Sequence, residues 1–137
     1  MKLSNTSTYA LRILSFMARE PEVLYSAKFL VEQLNISDKY LRRLMTQLTK
    51  SGFIKSAQGR VGGYSFAKAP NQITLADIIE SVEGMQKYTG CVLGFDACSD
   101  ENPCVMHSSW VVIREELIEV LTKKTLADFN YNDVHKL

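Results

Sequence analysis

Residues 26–52 read SAKFLVEQLNISDKYLRRLMTQLTKSG, and the fold turns on how this stretch divides. Ser26 is a candidate N-cap, because its hydroxyl can accept a bond from a free amide in the first turn of a following helix. That helix is short and carries Phe29, Leu30, Val31 and Leu34. Asn35 suits its C-terminal end, since a short amide side chain tolerates left-handed backbone angles. Ser37 then caps a second helix, in which Tyr40, Leu41, Leu44, Met45 and Leu48 recur at three- and four-residue spacing and turn inward. Lys39, Arg42, Arg43, Thr46 and Gln47 are left mostly outward, and Ser51-Gly52 ends the helix. Two helices joined by a three-residue turn, the second with a cationic outer surface, predict a helix-turn-helix.

The flanks extend this unit. Upstream, Ala10, Leu11, Leu14, Met17 and Ala18 predict a helix from Asn5 to Arg19, stopped by Pro21. Downstream, the alternating segments Phe53–Ser56 and Tyr64–Ala67 predict a hairpin. The three glycines of the connection 57–63 are expected to supply positive φ values. Three helices followed by a hairpin make a winged helix-turn-helix, so the fold class is mainly α with a small β wing. After Pro70, Thr74-Leu75-Ala76-Asp77 resembles a capping box opening a helix that runs to about Val82. Residues 84–106 are expected to form a glycine- and cysteine-rich loop. A long helix follows from about His107 to Lys123, with a last turn over Thr125–Phe129. His135 is given no role. Two functional segments are expected: residues 1–70 as the DNA-binding domain, and residues 71–137 as a sensor loop with a dimerisation helix.

Charge separates along the same division. Residues 1–70 carry eleven Lys or Arg against four Asp or Glu, a net +7, whereas residues 71–137 carry five against eleven, a net −6. A basic half is drawn to a polyanion, and the near-neutral whole conceals it. With 137 residues, of which 46% are hydrophobic, the chain has enough core for one domain, or for a small domain with an appendage. No apolar run approaches the roughly 20 residues that span a bilayer. Met1-Lys2-Leu3-Ser4-Asn5 lacks the features of a secretory signal, so the cytoplasm is expected and no membrane partner is. No Ser/His/Asp set, phosphate loop or paired carboxylates point to an enzyme.

The candidate DNA-binding residues are Ser37, Lys39, Tyr40, Arg42, Arg43, Gln47 and Arg60. A helix of this width fits the major groove, where arginine and glutamine pair with base edges. Arg60, in the glycine-rich wing, is placed to enter a minor groove of double-stranded DNA. Ser37, Ser4, Thr6 and the helix N-termini are expected to hold phosphates. Tyr40, like Tyr9, is expected to pack at the rim rather than stack on bases.

Cys91-x6-Cys98-x5-Cys104-x2-His107 is the chemical feature of the chain. Three thiolates and an imidazole can close a tetrahedral metal site or hold an iron–sulfur cluster. The C-x2-C pairs of zinc ribbons are absent, yet composition does not choose between iron–sulfur and zinc. A cofactor-free thiol switch is a further alternative, and an iron–sulfur carrier another. The long helix presents Trp110, Ile113, Leu117, Val120 and Leu121 in a stripe wide enough for two partners, with Glu115, Glu116 and Glu119 largely off it. A homodimer is expected, because two-fold pairing lets two recognition helices read two half-sites.

Several motifs, taken together, resemble the iron–sulfur cluster regulator family, which includes IscR, NsrR and CymR. They are Met1-Lys2-Leu3-Ser4 with Tyr9-Ala10-Leu11-Arg12, Ile36-Ser37-Asp38-Lys39-Tyr40-Leu41, Gly62-Gly63-Tyr64-Ser65-Phe66-Ala67, Ile73-Thr74-Leu75-Ala76-Asp77-Ile78-Ile79 and the three cysteines. The resemblance runs from Met1 to about Lys123. It implies a homodimeric winged-helix transcription regulator, expected to be a repressor, that pairs through its C-terminal helix and senses cluster or redox status. It implies that Cys91, Cys98 and Cys104 are cluster ligands, with six residues between the first pair where IscR has five. His107 falls where IscR supplies a histidine to a two-iron cluster. Thr8 stands where NsrR-like members place an acidic ligand for a four-iron cluster, so the two-iron form is favoured, with the four-iron form the alternative. Arg42 stands where IscR has an acid, so operator preference does not carry over.

Overall fold

Each helix of the N-terminal half begins at a serine that meets an otherwise orphaned amide. In a computed structural model, which describes residues 1–129, helix α1 spans Asn5–Met17 and the Ser4 hydroxyl accepts from the Ser7 N–H (3.2 Å). Helix α2, Ala27–Leu34, starts at Ser26, which accepts from Phe29 (3.1 Å). Helix α3, Asp38–Lys50, starts at Ser37, which accepts from Tyr40 (3.3 Å). Between α2 and α3, Asn35 takes the left-handed conformation (φ 53°), so the turn is tight enough to set α3 across α2. Residues 130–137 lie outside the described residues, among them His135 and the end of the expected 71–137 segment.

The first helix stops two residues before the expected Arg19. Its end tightens as the Arg19 N–H turns to Phe16 O (3.3 Å), and the chain has already left the helix when it reaches Pro21. The wing strands are β1, Ile54–Ala57, and β2, Gly63–Phe66, antiparallel with Ile54 opposite Phe66 and Ala57 opposite Gly63. Relative to the expected strands, β1 begins one residue later and β2 one residue earlier. The glycines of the connection also act differently from expectation. Gly59 alone among them has a positive φ (102°), whereas a Cβ on Gly63 would run into the Tyr25 carbonyl. That close approach exists because Tyr25 exchanges both backbone bonds with Tyr64 (2.8 and 2.7 Å), adding a third, single-residue rung to the wing.

Helix α4, Leu75–Val82, opens with the expected capping box, in which Asp77 N–H donates to Thr74 Oγ1 and Thr74 N–H to Asp77 Oδ2, each at 3.0 Å. The segment expected to be loop from 84 to 106 contains a one-turn helix, α5, Gln86–Thr89, which buries Tyr88. Gly84 (φ 82°) redirects the chain into it. Helix α6 spans His107–Lys123, as expected, and a 3₁₀ turn over Leu126–Asp128 follows.

Packing does not divide at residue 70. Ile73, Ile78 and Leu126 join Leu14, Leu30, Leu41 and Leu48 in one buried cluster, and the Leu126 N–H donates to Ile73 O (3.0 Å). The exit of α6 is therefore stitched to the entry of α4, and α4 lies against α1 and α3. A second, smaller cluster of Ile79, Tyr88 and Leu121 joins α4, α5 and α6. Among the described residues, no helix is long and apolar enough to cross a membrane.

Candidate nucleic-acid interface and thiol site

Burial of Leu41, Leu44, Met45 and Leu48 fixes α3 against the core and leaves Ser37, Lys39, Arg42, Arg43 and Gln47 exposed. These side chains have distinct attachments. The Arg42 Nε–H is held by both oxygens of Asp38 (3.0 and 2.9 Å), and Arg42 lines a cleft of about 290 Å³ between α3 and the wing, together with Lys28, Gly59 and Arg60. Arg43 instead lies over the Tyr40 ring, 5.7 Å from its centroid, and Tyr40 meets Tyr9 edge-on at 5.4 Å. Tyr40 is half-buried, a rim residue on the side of α1. The Gln47 side-chain nitrogen donates to Ser81 O (2.7 Å), tying the recognition helix to α4. Arg60 is exposed at the wing, so it and Arg42 border one concave surface.

Ser4 departs from its expected role as a phosphate ligand. Its hydroxyl and that of Ser7 both donate to the Glu83 carboxylate, and the Ser4 N–H adds a third bond (3.1 Å). Tyr88 O–H donates to the other Glu83 oxygen (2.5 Å) and lies 3.1 Å from Lys2 O. Burial alone would raise this carboxyl, but the donors from Ser4, Ser7 and Tyr88 stabilise the anion and bring it down to about 2. Burial, with the Glu83 anion beside it, pushes Tyr88 up to about 12. Glu83 thus ties the start of α1 to α5, one turn before the first cysteine. No sequence motif marks this tie, because its bonds span up to 86 positions.

After α5 the chain is anchored on α6, where Trp110 Nε1–H donates to Gly90 O (2.7 Å). This brings Cys91, Cys98 and Cys104 together, with their sulfurs all within 4.8 Å of one another. Cys91 Sγ and Cys104 Sγ are 3.8 Å apart, and all three thiols are free and partly buried. His107, at the first position of α6, turns Nδ1 toward Cys98 Sγ (3.4 Å) and bonds Asp100 through Nε2 (2.8 Å). The backbone amides of Phe95 and Leu93, with the Cys104 and Cys98 thiols, outweigh burial and lower Cys91 to about 7. At Cys98 the amide of Cys104 acts downward, but burial and the neighbouring thiols prevail and raise it. Two ligands on one tetrahedral ion with bonds of about 2.3 Å sit about 3.8 Å apart, the Cys91–Cys104 separation. The three thiols are soft and convergent, so they fit an iron or zinc group. The His107 imidazole meets Cys98 (3.4 Å) but stands outside the set of ligand atoms that converge within 4.8 Å. Sequence spacing gave Cys91, Cys98, Cys104 and His107 as candidate donors, of which the structure gathers the three thiols. It gave no sign of Asp100, whose place depends on the fold of the loop.

Known proteins resemble the chain over nearly its whole length. The family model Rrf2, described as an iron-dependent transcriptional regulator, matches residues 3–132. The HTH-type transcriptional regulator CymR of Bacillus subtilis (strain 168) is 33% identical over 135 residues, 97% of this chain and 93% of its own. NsrR of the same organism is 32% identical over 146 residues, 100% of this chain and 97% of its own. Among solved structures, CymR of B. subtilis, described as its global cysteine regulator, superposes with a TM-score of 0.74 at 32% identity, covering 93% of this chain and 95% of its own. IscR of T. potens superposes with a TM-score of 0.71 at 32% identity, covering 93% and 85%.

Proposed function

The chain belongs to the Rrf2 family of iron-dependent transcriptional regulators, and from that premise we propose that it is a cytoplasmic, homodimeric repressor whose DNA affinity answers to the state of its three thiols. DNA binding and transcriptional regulation follow from the family, which is not one of enzymes. In this reading each protomer sets Ser37, Lys39, Tyr40, Arg42, Arg43 and Gln47 at a major groove and Arg60 at the adjacent minor groove. Residues 1–70 supply this surface, and residues 71–137 supply sensing and pairing. The observation that carries the sensor is the convergence of Cys91, Cys98 and Cys104 within 4.8 Å at the foot of α6.

The face of α6 turned away from the protomer supports the dimer. Met106, Ile113 and Val120 lie along it and are 42%, 55% and 55% exposed, while Trp110 and Leu121 are turned toward α5 and α4. Burying that stripe against a second copy would set two recognition helices for two half-sites.

Cys91, Cys98, Cys104 and His107 would hold an iron–sulfur cluster, with the two-iron form favoured by the imidazole. Such a group supplies a redox-active and oxidant-labile centre. The chain's own contribution is to gather the thiolates, to orient His107 through Asp100, and to tie the loop to α6 through Trp110 and Gly90. The effector must bind the DNA-competent and DNA-incompetent arrangements with different free energies, or it regulates nothing.

A thiol switch is the second reading, and the lowered Cys91 next to Cys104 favours it. There, Cys91 and Cys104 would lose two protons and two electrons to a peroxide, which leaves as two waters, and form a disulfide. Anaerobic purification separates the two readings. Visible absorption with iron and sulfide in stoichiometric amounts supports the cluster. A colourless protein whose Cys91–Cys104 disulfide forms with peroxide and changes DNA affinity supports the switch. Absence of salt-dependent, sequence-selective binding to duplex DNA would overturn both.

A further inference from the structure

Asp38 is an anion at the centre of a surface otherwise suited to DNA, since its side chain is 59% exposed in the first turn of the recognition helix. It is a poor neighbour for phosphates and adds to the charge that a duplex must approach. Its partner explains its place. Both carboxylate oxygens of Asp38 converge on the same atom, Arg42 Nε (3.0 and 2.9 Å), rather than on the two terminal nitrogens. Arg42 thereby keeps Nη1 and Nη2 for another acceptor. Its side chain, held along the first turn of α3 by Asp38, borders the cleft shared with Lys28 and Arg60.

Arginine recognises guanine by presenting two N–H groups to O6 and N7. An unrestrained guanidinium does so either side-on, through Nε and one terminal nitrogen, or end-on through both terminal nitrogens. It also reaches equally well for a phosphate. With Nε engaged by Asp38, only the end-on approach remains, and a carboxylate close by disfavours a slide toward the backbone. We propose that Asp38 is a specificity-determining positioning residue, which fixes Arg42 for end-on reading of a guanine and lowers the affinity for arbitrary duplex. The contrast with Arg43 supports this assignment, because Arg43 rests on the Tyr40 ring and, among the described residues, forms no ion pair of the Arg42–Asp38 kind. A surface ion pair four residues apart contributes about 0.3–0.5 kcal/mol to a helix, and an acid in the first turn about 0.3–1 kcal/mol through the helix dipole. It is the hold of both carboxylate oxygens on Arg42 Nε that points beyond helix stability.

The inference rests on the DNA-binding reading, and the test keeps the two apart. A duplex is first enriched by the unmodified protein from a randomised library, and its binding is compared with that of a scrambled duplex. Asp38→Ala, Arg42→Ala and the double variant are then measured on both duplexes and on variants of each base pair of the half-site. Asp38→Ala should lose about tenfold of the discrimination at one G·C pair while binding the scrambled duplex more tightly than the unmodified protein does. The double variant should match Arg42→Ala, because Asp38 acts through Arg42. Asp38→Glu, which keeps a carboxylate within reach of Arg42, should restore part of the preference. If no sequence is enriched, the DNA-reading proposal itself fails. If a sequence is enriched and Asp38→Ala keeps the same base preference, Asp38 is a plain helix pair and this inference is overturned. Far-ultraviolet circular dichroism of each variant shows whether α3 persists, and the single-pair preference is a readout that general unfolding would not produce.

Discussion

Helices α3 and α6 are of similar length, 13 and 17 residues, yet they dispose of their apolar side chains in opposite ways. In α3, Leu41, Leu44, Met45 and Leu48 are all at most 3% exposed, and the outer face is polar. In α6 only Leu121 is buried, while Val112, Ile113 and Val120 are each more than half exposed. The difference teaches which part of the molecule is complete in one protomer. The core behind the winged helix closes within one protomer, with Ile73, Ile78 and Leu126 added from the later segment, so the outer surface of α3 is free to meet DNA. The region of α6 and the thiols leaves apolar side chains of the helix exposed and gathers three sulfurs within 4.8 Å, the features on which the proposed dimer and bound group rest.

Substitutions can break or sharpen that contrast. The largest effect is expected in the closed half. Leu41→Ala leaves a cavity where the leucine is fully buried and should lower stability by about 3 kcal/mol in urea unfolding, at every protein concentration. Ile113→Asp tests the open half. It should raise the dimer dissociation constant roughly 100-fold or more, because pairing would bury an unpartnered carboxylate. Sedimentation should show monomers whose circular dichroism still reports α6. A dimer that survives this change removes α6 from the interface.

The tie between the halves is next. Glu83 titrates near 2 in the folded chain against an ordinary 4.5, so its contribution is complete above about pH 4.5 and is lost as the pH falls toward 2. Glu83→Gln should cost about 2 kcal/mol near neutrality and flatten the acid limb of the stability curve over that interval. An unchanged acid limb would mean that Ser4, Ser7 and Tyr88 do not stabilise the anion. The smallest effect falls on the DNA surface. Arg60→Ala should weaken binding by about 1 kcal/mol. A loss confined to particular sequences supports minor-groove reading, whereas a uniform loss with a shallower salt slope makes Arg60 a phosphate contact.

Local chemistry carried most of what could be read along the chain. The serines at 26 and 37, the Thr74–Asp77 box and the left-handed Asn35 act on neighbours within four positions, whereas the cap at Ser4 was not read. The helix-turn-helix was legible for that reason, and the spacing of Cys91, Cys98 and Cys104 pointed to the three thiols that the structure brings together. The C-terminal end of α1 and the ends of the wing strands shifted by one or two residues, where the Arg19 amide turns to Phe16 and the backbone of Tyr25 pairs with that of Tyr64. The one-turn α5 was hidden, since a helix of four residues has no periodicity to detect and exists only because Tyr88 is buried beside Ile79 and Leu121.

Sequence by itself therefore determined the winged helix, its charge and the stock of thiols, because short-range hydrogen bonds and apolar periodicity act between near neighbours. Tertiary structure alone decided that Ser4 serves Glu83, that Gln47 is anchored to Ser81, that Asp100 turns His107 toward Cys98, and that one face of α6 is left bare. Those outcomes depend on which surfaces meet when helices pack, and a contact across 79 positions leaves no periodic trace in the chain.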